Sequence, residues 1–149
     1  FLKVSQVDVR YAGQSRSAVQ GVSLQLQAGQ IGVLIGPSGC GKTSLLRAVA
    51  GLEDLHAGQV ELSSRVVSRQ GFTEAPEKRR MGMVFQDYAL FPHLTVRQNI
   101  GFALQQGWLN PSASHKDPSV NHWIEVFQLE SIASLYPEQI SVGNVNAQL

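Results

Sequence analysis

Alternating apolar and polar positions predict β-structure at the beginning of the chain. In residues 22–26, valine or leucine alternates with serine or glutamine, which is the period of a strand with one buried face. Residues 2–9 are a second, less regular strand candidate. A turn at residues 28–30 leads into the apolar run 31–35. A run this short predicts a strand that is buried on both faces of a parallel sheet.

Apolar residues with helical spacing follow a glycine-rich loop. Leu45, Leu46 and Val49 share one face of a predicted helix over residues 42–50, so that face should pack on the core. Gly51 is placed to cap the C-terminal end of this helix, because glycine adopts the left-handed conformation at little cost.

Two further strands are predicted after this helix. Residues 58–62 are one candidate, and residues 81–85 are a second, buried one. The segment between them, residues 63–80, is polar and contains Gly71 and Pro76, which favours mainly loop.

Two start signals predict helices in the later part of the chain. Thr95 with Gln98 three residues later forms a capping-box pattern, and we expect this helix to end at Gly107. Asp117 followed by Pro118 indicates an N-cap with proline at the first helical position. The apolar positions that the two helices present are Val96, Ile100, Ala103 and Leu104 in the first, and Val120, Trp123, Ile124 and Phe127 in the second.

The composition narrows the class of protein. Of the 149 residues, 43% are hydrophobic and 15% are charged, which indicates one globular domain. A formal net charge of +1 gives no reason to expect a nucleic-acid partner. Cys40 is the single cysteine, so an internal disulfide is excluded and a reducing compartment is expected. The apolar run 31–35 is far too short to cross a bilayer, so a membrane role would require a partner.

The strongest candidate site lies between the predicted strand 31–35 and the predicted helix 42–50. Its residues match the P-loop pattern in full: Gly36, Pro37, Ser38, Gly39, Cys40, Gly41, Lys42 and Thr43. Glycines allow the close approaches and backbone angles with which successive amides surround an anion, and the helix adds its positive end. Lys42 can then reach the β and γ phosphates, and Thr43 can place its hydroxyl on Mg²⁺.

The P-loop pattern by itself leaves ATPases, GTPases and kinases open. The kinase interpretation is weak, because nothing in the chain indicates a phosphate-acceptor site. Cys40 occupies a variable position of the pattern, and we interpret it as a small residue that fits the loop rather than as a redox or catalytic group.

Beyond this loop, the chain resembles the ATP-binding subunits of ABC transporters. The similarity rests on the segment around Tyr11, on residues 52–60, and on residues 83–96 around Gln86. In that family, an aromatic residue at the position of Tyr11 stacks on adenine, for which a flat aromatic face is suited; packing in the core is the alternative. The glutamine at the position of Gln86 contacts Mg²⁺ and the attacking water in the family, and a solvated glutamine at a strand end is the alternative.

The resemblance implies a site for ATP and Mg²⁺. Lys42 and Gln86 would be the catalytic residues, and Thr43 and Gln86 the metal ligands. The residues implied to bind the nucleotide are Tyr11, Gly36, Pro37, Ser38, Gly39, Cys40, Gly41, Lys42, Thr43 and Ser44.

The resemblance also implies the fold class, which is α/β of the P-loop NTPase type: an ABC ATPase core with an antiparallel β subdomain and a helical subdomain. The family's domain continues beyond Leu149, so we expect residues 1–149 to be one incomplete, truncated domain. The expected parts are residues 1–30 and 58–70 for the antiparallel β subdomain, 31–57 and 81–86 for the P-loop core, and 87–140 for the helical subdomain.

The family couples ATP binding and hydrolysis to solute transport through a permease. Residues 78–86 and 91–96 are similar to importer subunits, and most like those that serve ferric iron; sugar and polyamine importers share much of the pattern. Leu90, Phe91 and Leu94 are candidates for contact with the permease, and packing within the helical subdomain is the alternative.

The resemblance implies several partners. They are transmembrane permease subunits, a second ATP-binding subunit in a homodimer and, indirectly, a periplasmic or extracellular solute-binding protein; no nucleic acid is expected. The subunit would lie peripherally on the cytoplasmic face of the bacterial inner membrane.

The last residues depart from the family pattern. Where the family has Leu-Ser-Gly-Gly-Gln, residues 140–144 read Ile-Ser-Val-Gly-Asn. Val142 replaces a glycine and Asn144 a glutamine, and a β-branched side chain restricts the backbone and hinders close approach to a phosphate. The Walker B aspartate, the catalytic glutamate and the switch histidine have no counterpart by motif. The four histidines fit surface or packing positions: His56, His93, His115 and His122.

Because these catalytic groups are missing, we expect the 149 residues by themselves to bind nucleotide with negligible turnover. The alternative function is a non-catalytic nucleotide-binding or subunit-interaction module.

Overall fold

The alternating residues at the beginning of the chain do form strands. The computed structural model describes residues 1–104 and 117–140. Strand β1 (Leu2–Val9) pairs antiparallel with β2 (Val19–Leu26), and the two strands expose polar residues between their buried or partly buried apolar ones. The predicted turn that follows β2 is present, because the N–H of Gln30 donates to the carbonyl of Gln27 at 3.2 Å.

The irregular pattern of β1 is caused by a bulge. Gln6 has a φ of 48°, and the register with β2 shifts between Val4 and Val7, so these two buried valines are three residues apart instead of two. Gly58 lies against the bulge, and a Cβ there would come within 2.2 Å of the carbonyl oxygen of Gln6. Only glycine fits at this contact.

Three more strands complete an antiparallel sheet. They are β3 (Ala57–Leu62), β4 (Arg65–Arg69) and the short β5 (Phe72–Thr73), and the spatial order is β2-β1-β3-β4-β5. The interpretation of residues 63–80 as mainly loop was wrong, because β4 and β5 lie within it. Val67 and Ser68 are the fully buried residues of β4, and two positions are too few to give a visible alternation.

Two strands expected from apolar runs are not formed. Residues 31–35 and 81–85 have no strand pairing in the described part of the chain. Ile31 and Ile35 are each 92% exposed, and Val84 is 88% exposed. An apolar run becomes a buried strand only when neighbouring strands bond to its two edges, and the described strands pair only among themselves. The prediction of buried strands was therefore wrong for both segments.

Helix α1 (Lys42–Ala50) forms as expected and packs on the sheet. Leu45 and the residues three and four positions later are buried, whereas Leu46 is 50% exposed; the inclusion of Leu46 in the packed face was wrong. Gly51 caps the helix with a φ of 84°, as predicted. The core beneath consists mainly of β-branched residues of the sheet and apolar residues of α1: Val4, Val7, Val9, Val19, Leu45, Ala48, Val49, Leu55, Val60, Leu62 and Val67.

The chain divides into two compact units, Phe1–Met83 and Val84–Leu149. In the second unit, α2 (Val96–Ile100) begins with the predicted capping box: Thr95 Oγ1 accepts from the N–H of Gln98, and Gln98 Oε1 accepts from the N–H of Thr95. It is shorter than predicted, because Gly101 caps it and a 3-10 turn follows; Gly107 lies outside the described residues.

Helix α3 (Pro118–Val126) begins at the predicted N-cap, where Asp117 Oδ1 accepts from the N–H of Ser119 at 2.8 Å. Val120 and Ile124 are buried as expected, whereas Trp123 and Phe127 are 48% and 63% exposed, so that part of the packing prediction was wrong. No helix among residues 1–104 and 117–140 is long and apolar enough to span a membrane.

Candidate functional site

The glycine-rich loop turns sharply just before α1. Gly39 and Gly41 have φ values of 79° and 94°, and the N–H of Cys40 makes a long bond of 3.4 Å to the carbonyl of Pro37. A Cβ at Gly41 would come within 2.2 Å of the carbonyl oxygen of Ala18. Glycine at position 41 is therefore required both by the backbone angle and by the close approach.

The N-terminal end of α1 is open to a ligand. Gly41 is its N-cap, no side chain caps the helix, and the first turn contains no acidic residue. A helix leaves its first N–H groups without partners inside the helix and carries a partial positive charge at this end. The described geometry thus presents donors and positive potential of the kind that binds anions.

Lys42 is folded back across the loop. Its Nζ donates to the carbonyl oxygens of Gly36 and Pro37, both at 2.7 Å, and lies 3.5 Å from the Sγ of Cys40. An ammonium has three N–H donors, and two of them are used in these short bonds to the loop carbonyls. The bonds hold the Lys42 side chain at the loop. The Cys40 side chain fills the space beside Gly36, where a Cβ would come within 2.7 Å of the sulfur.

Tyr11 joins this site from the end of β1. Its phenolic oxygen lies 2.9 Å from the Oγ of Ser44, in the first turn of α1. Both residues border a cavity of about 260 Å³. The residues that line this cavity are Tyr11, Gln14, Ala18, Gly39, Gly41, Lys42, Thr43 and Ser44.

Gln14 and Ala18 are members of the cavity wall that the sequence interpretation missed. The N–H of Gln14 donates to the carbonyl of Tyr11 at 3.1 Å, and the N–H of Ala18 donates to the carbonyl of Val9 at 2.8 Å. The segment between β1 and β2 therefore lies next to the glycine-rich loop, and Gln14 and Ala18 form part of the cavity wall. Gly13, with a φ of 77°, was the available signal for a turn at this point.

Gln86 belongs to the second unit and is exposed in a turn over residues 86–89. The buried strand that was expected to end at this residue is not formed. Tyr88 and Ala89, within the same turn, have φ values of 59° and 48°. The role of Gln86 toward metal and water stays a prediction.

The described residues contain no group of three or more His, Cys, Asp or Glu side chains that could hold a metal ion. The Thr43 side chain offers one neutral oxygen at an exposed position. Mg²⁺ is usually bound by one or two protein oxygens together with substrate phosphates. The donor set therefore fits an ion that arrives with a nucleotide and does not fit a site made of protein alone.

Arg79 is a buried cation close to α1 that the sequence interpretation noted only as part of a motif. It is 4% exposed. Burial lowers the pKa of its guanidinium from the ordinary value, and the Glu74 carboxylate partly offsets this effect. Arginine remains charged at physiological pH, so a positive charge lies inside the first unit.

The segment after Gln86 carries exposed apolar side chains. Leu90 is 53% exposed and Phe91 is 37% exposed, whereas Leu94 is buried. The Phe91 ring stacks at a tilt on Phe102, with 4.1 Å between the ring centroids. The burial of Leu94 fits the alternative given for it, packing within the helical subdomain, whereas Leu90 and Phe91 stay candidates for contact with the permease.

The loop sequence, its two left-handed glycines and the helix that follows are those of a P-loop protein. The family described as ABC transporter matches residues 19–147, and the chain belongs to this family.

Several curated relatives are importer components. The chain is 37% identical over 141 residues to a lactose transport ATP-binding protein of Rhizobium radiobacter, covering 95% of this chain and 37% of the relative. It is 38% identical over 141 residues to an sn-glycerol-3-phosphate import ATP-binding protein of Cereibacter sphaeroides, with 95% and 39% covered. It is 41% identical over 144 residues to a spermidine/putrescine import ATP-binding protein of Chromobacterium violaceum, with 96% and 37% covered. The chain thus spans less than half the length of these relatives.

Solved structures show the same fold. A dimeric ATP-binding cassette in a post-hydrolysis state, bound to ADP and Pi, superposes with a TM-score of 0.74 at 24% identity, covering 95% of this chain and 63% of that one. The predicted fold class, an ABC ATPase fold with an antiparallel sheet, is confirmed. The subdomain boundaries stay predictions. Ferric iron is not supported by the relatives named above, whose names concern lactose, sn-glycerol-3-phosphate and polyamines.

Proposed function

We propose that this chain is the nucleotide-binding part of an ABC importer subunit, which couples ATP binding and hydrolysis to solute import through a permease. One observation carries the proposal: the open N-terminal end of α1, Lys42 and the ring of Tyr11 border the same cavity. An anion site next to an aromatic ring matches the two ends of a nucleotide.

Each residue of the cavity has a distinct proposed role. The amides of the loop and of the first turn of α1 bind phosphate oxygens. Lys42 exchanges its two loop carbonyls for phosphate oxygens, because a hydrogen bond between an ammonium and an anion is stronger than one to a neutral carbonyl. Tyr11 offers its ring to adenine, and its hydroxyl is hydrogen-bonded to Ser44 Oγ at 2.9 Å. Ser44 itself lies in the first turn, where its amide faces the same ligand.

Thr43 and Gln86 are the proposed residues toward Mg²⁺. They would hold the ion, which would supply positive charge to offset that of the phosphates. Gln86 would in addition orient the attacking water, since its amide provides both an acceptor and two donors. Phosphoryl transfer to water also needs a carboxylate-type group or its equivalent to position the nucleophile. These 149 residues contain no such group by motif, so we propose turnover for the full subunit only.

The proposed partners follow from the family. They are transmembrane permease subunits, a second copy of the ATP-binding subunit and, indirectly, a solute-binding protein, with the subunit lying peripherally on the cytoplasmic face of the membrane. Leu90 and Phe91 are the proposed permease contact. The solute is proposed to be an organic solute of the kind named for the relatives above, and the motif-based expectation of ferric iron is the competing assignment, to be decided by transport assay.

The proposal is tested by nucleotide binding and turnover. Wild type, Lys42→Ala and Lys3→Ala are compared for Mg-ATP affinity by calorimetry and for phosphate release. Lys3 is the matched control, because it carries the same charge in an exposed ion pair with Glu61 at 3.5 Å, which contributes little. We expect the Lys42 variant to lose at least about tenfold in affinity, corresponding to one charge-assisted phosphate contact, and the Lys3 variant to bind as wild type.

The proposed ATPase and the alternative, a non-catalytic nucleotide-binding or subunit-interaction module, differ in whether ATP is hydrolysed. ATP hydrolysis by the full subunit that disappears in Lys42→Ala supports the ATPase. Binding without hydrolysis in the full subunit supports the non-catalytic module instead. Equal affinity of wild type and Lys42→Ala contradicts both, because both depend on the phosphate loop.

A further inference from the structure

The side chain of Arg79 connects three segments of the first unit. Its guanidinium donates five hydrogen bonds, and only 4% of the residue is exposed. An arginine is rarely this buried unless all of its donors have partners. The identity of those partners indicates what the residue does.

Two of the partners are carbonyls in the last turn of α1. Nη1 donates to Val49 O at 2.8 Å and to Ala48 O at 3.3 Å. Carbonyls of the last turn have no full set of N–H partners inside the helix, although Ala48 O also accepts from the N–H of Gly51 at 3.2 Å. A cation at this end interacts favourably with the helix dipole. Arg79 therefore holds the end of α1 that is opposite the phosphate loop.

The remaining partners lie on the sheet side. Nη2 donates to Val67 O at 3.0 Å and to Ser68 Oγ at 2.7 Å, both on β4. Nε donates to the carbonyl of Glu74 at 2.9 Å. The planar guanidinium can serve both sides at once because its five donors point in fixed and different directions.

The space for this group depends on Gly51. A Cβ at Gly51 would come within 2.4 Å of Arg79 Nε. The glycine that caps α1 thus also leaves room for the cation that binds the end of the helix.

We propose that Arg79 is a positioning residue, which fixes α1 against β4 and thereby sets the position of the first-turn amides that receive the phosphates. This inference rests on the proposed nucleotide function. A helix of nine residues is about 14 Å long and stiff along its axis. A displacement at its C-terminal end is therefore transmitted to Lys42 and Thr43, although Arg79 touches no ligand.

The test separates positioning from general stabilisation. Arg79→Met and Arg79→Lys are compared with Val60→Ala, a fully buried core position of β3 whose truncation leaves a cavity and destabilises the fold. Affinity is measured for Mg-ATP and for tripolyphosphate, which probes the phosphate loop without adenine, at temperatures where circular dichroism shows each variant folded. Gly51→Ala tests the same effect without mutating Arg79, because the added Cβ would push the guanidinium away from the end of α1.

We expect Arg79→Met to weaken both ligands about tenfold, equivalent to one phosphate hydrogen bond, and Arg79→Lys to fall between it and wild type. Val60→Ala should lower the melting temperature with unchanged affinities. Wild-type affinities in folded Arg79→Met would overturn the inference and leave a merely structural residue. If Arg79→Met does not fold, Arg79→Lys and Gly51→Ala decide in the same way. Loss of binding in Lys42→Ala with normal binding in the Arg79 variants rejects only this inference, whereas normal binding in Lys42→Ala rejects the proposed function.

Discussion

The phenolic oxygen of Tyr11 lies 2.9 Å from the hydroxyl oxygen of Ser44, 33 positions later in the chain. This bond joins the end of β1 to the first turn of α1. It brings an aromatic ring to the glycine-rich loop although neither residue is close to the other in sequence. The ring and its hydroxyl can be tested separately, because only the hydroxyl makes the bond.

We expect Tyr11→Ala to weaken Mg-ATP binding about tenfold or more, since stacking of a base on an aromatic ring is worth about 1–3 kcal/mol. Tyr11→Phe keeps the ring and loses only the bond to Ser44, so its affinity should stay within about threefold of wild type. Calorimetric titration with ATP and with tripolyphosphate measures both effects. A Tyr11→Ala protein with normal ATP affinity would show that the ring has a packing role.

The two left-handed glycines of the loop should differ in their tolerance of alanine. Gly41→Ala combines a strained φ with a contact to the Ala18 carbonyl, and we expect a loss of about 2–5 kcal/mol in the free energy of unfolding. Gly39 has a similar φ but nothing within 4 Å of the added Cβ, so its alanine variant should lose only about 1–2 kcal/mol. Urea unfolding measures the difference; equal losses would contradict the close contact at Ala18.

Asn99 organises the loop that precedes α2. The two N–H donors of its Nδ2 are shared among the carbonyls of Phe91, Leu94 and Thr95, and its Oδ1 accepts from the N–H of Phe91 at 2.9 Å. We expect Asn99→Ala to cost about 1–3 kcal/mol and to speed hydrogen exchange at the Phe91 amide.

Asn121→Ala is the matched control for Asn99, because Asn121 accepts one bond from Arg97 at 2.6 Å at an exposed position. Its exchange pattern in the loop should equal that of wild type. Unchanged exchange at Phe91 in the Asn99 variant would mean that other contacts hold the loop.

The orientation of α3 predicts stability losses of different size for two adjacent residues. Ile124→Ala removes a buried side chain of the second unit and should cost about 2–5 kcal/mol. Trp123 is 48% exposed and stacks on Phe127, so Trp123→Ala should cost about 1 kcal/mol. Urea unfolding followed by circular dichroism compares them, and a larger loss for Trp123 would indicate that α3 is rotated.

Local signals predicted local structure well. The C-cap of α1 and the N-caps of α2 and α3 were identified from the sequence, because a cap depends on contacts within about four residues. The loop of the nucleotide site was identified for a similar reason, since its glycines, Lys42 and Thr43 are adjacent in the chain. Strand β2 was identified from its period of two, and β1 was a less regular candidate because its bulge interrupts that period.

Strand pairing and side-chain burial, which depend on partners distant in the chain, were only partly predicted from the sequence. The runs 31–35 and 81–85 have the composition of buried strands, yet a strand needs neighbours to bond with, and none of the described strands pairs with them. Burial of Leu94 and exposure of Leu46 likewise depend on which elements pack against them, which no periodicity reveals.

The sequence by itself determined the phosphate loop and the helix behind it, because a run of adjacent residues specifies both. Only the tertiary structure decided that Tyr11 reaches Ser44 and that Arg79 binds the far end of α1. Both contacts join groups that are 30 to 33 residues apart, and such pairs form only when the sheet and helix have packed. The burial of the Arg79 charge is tolerated only because carbonyls from three segments meet at one point, and that meeting is a property of the fold.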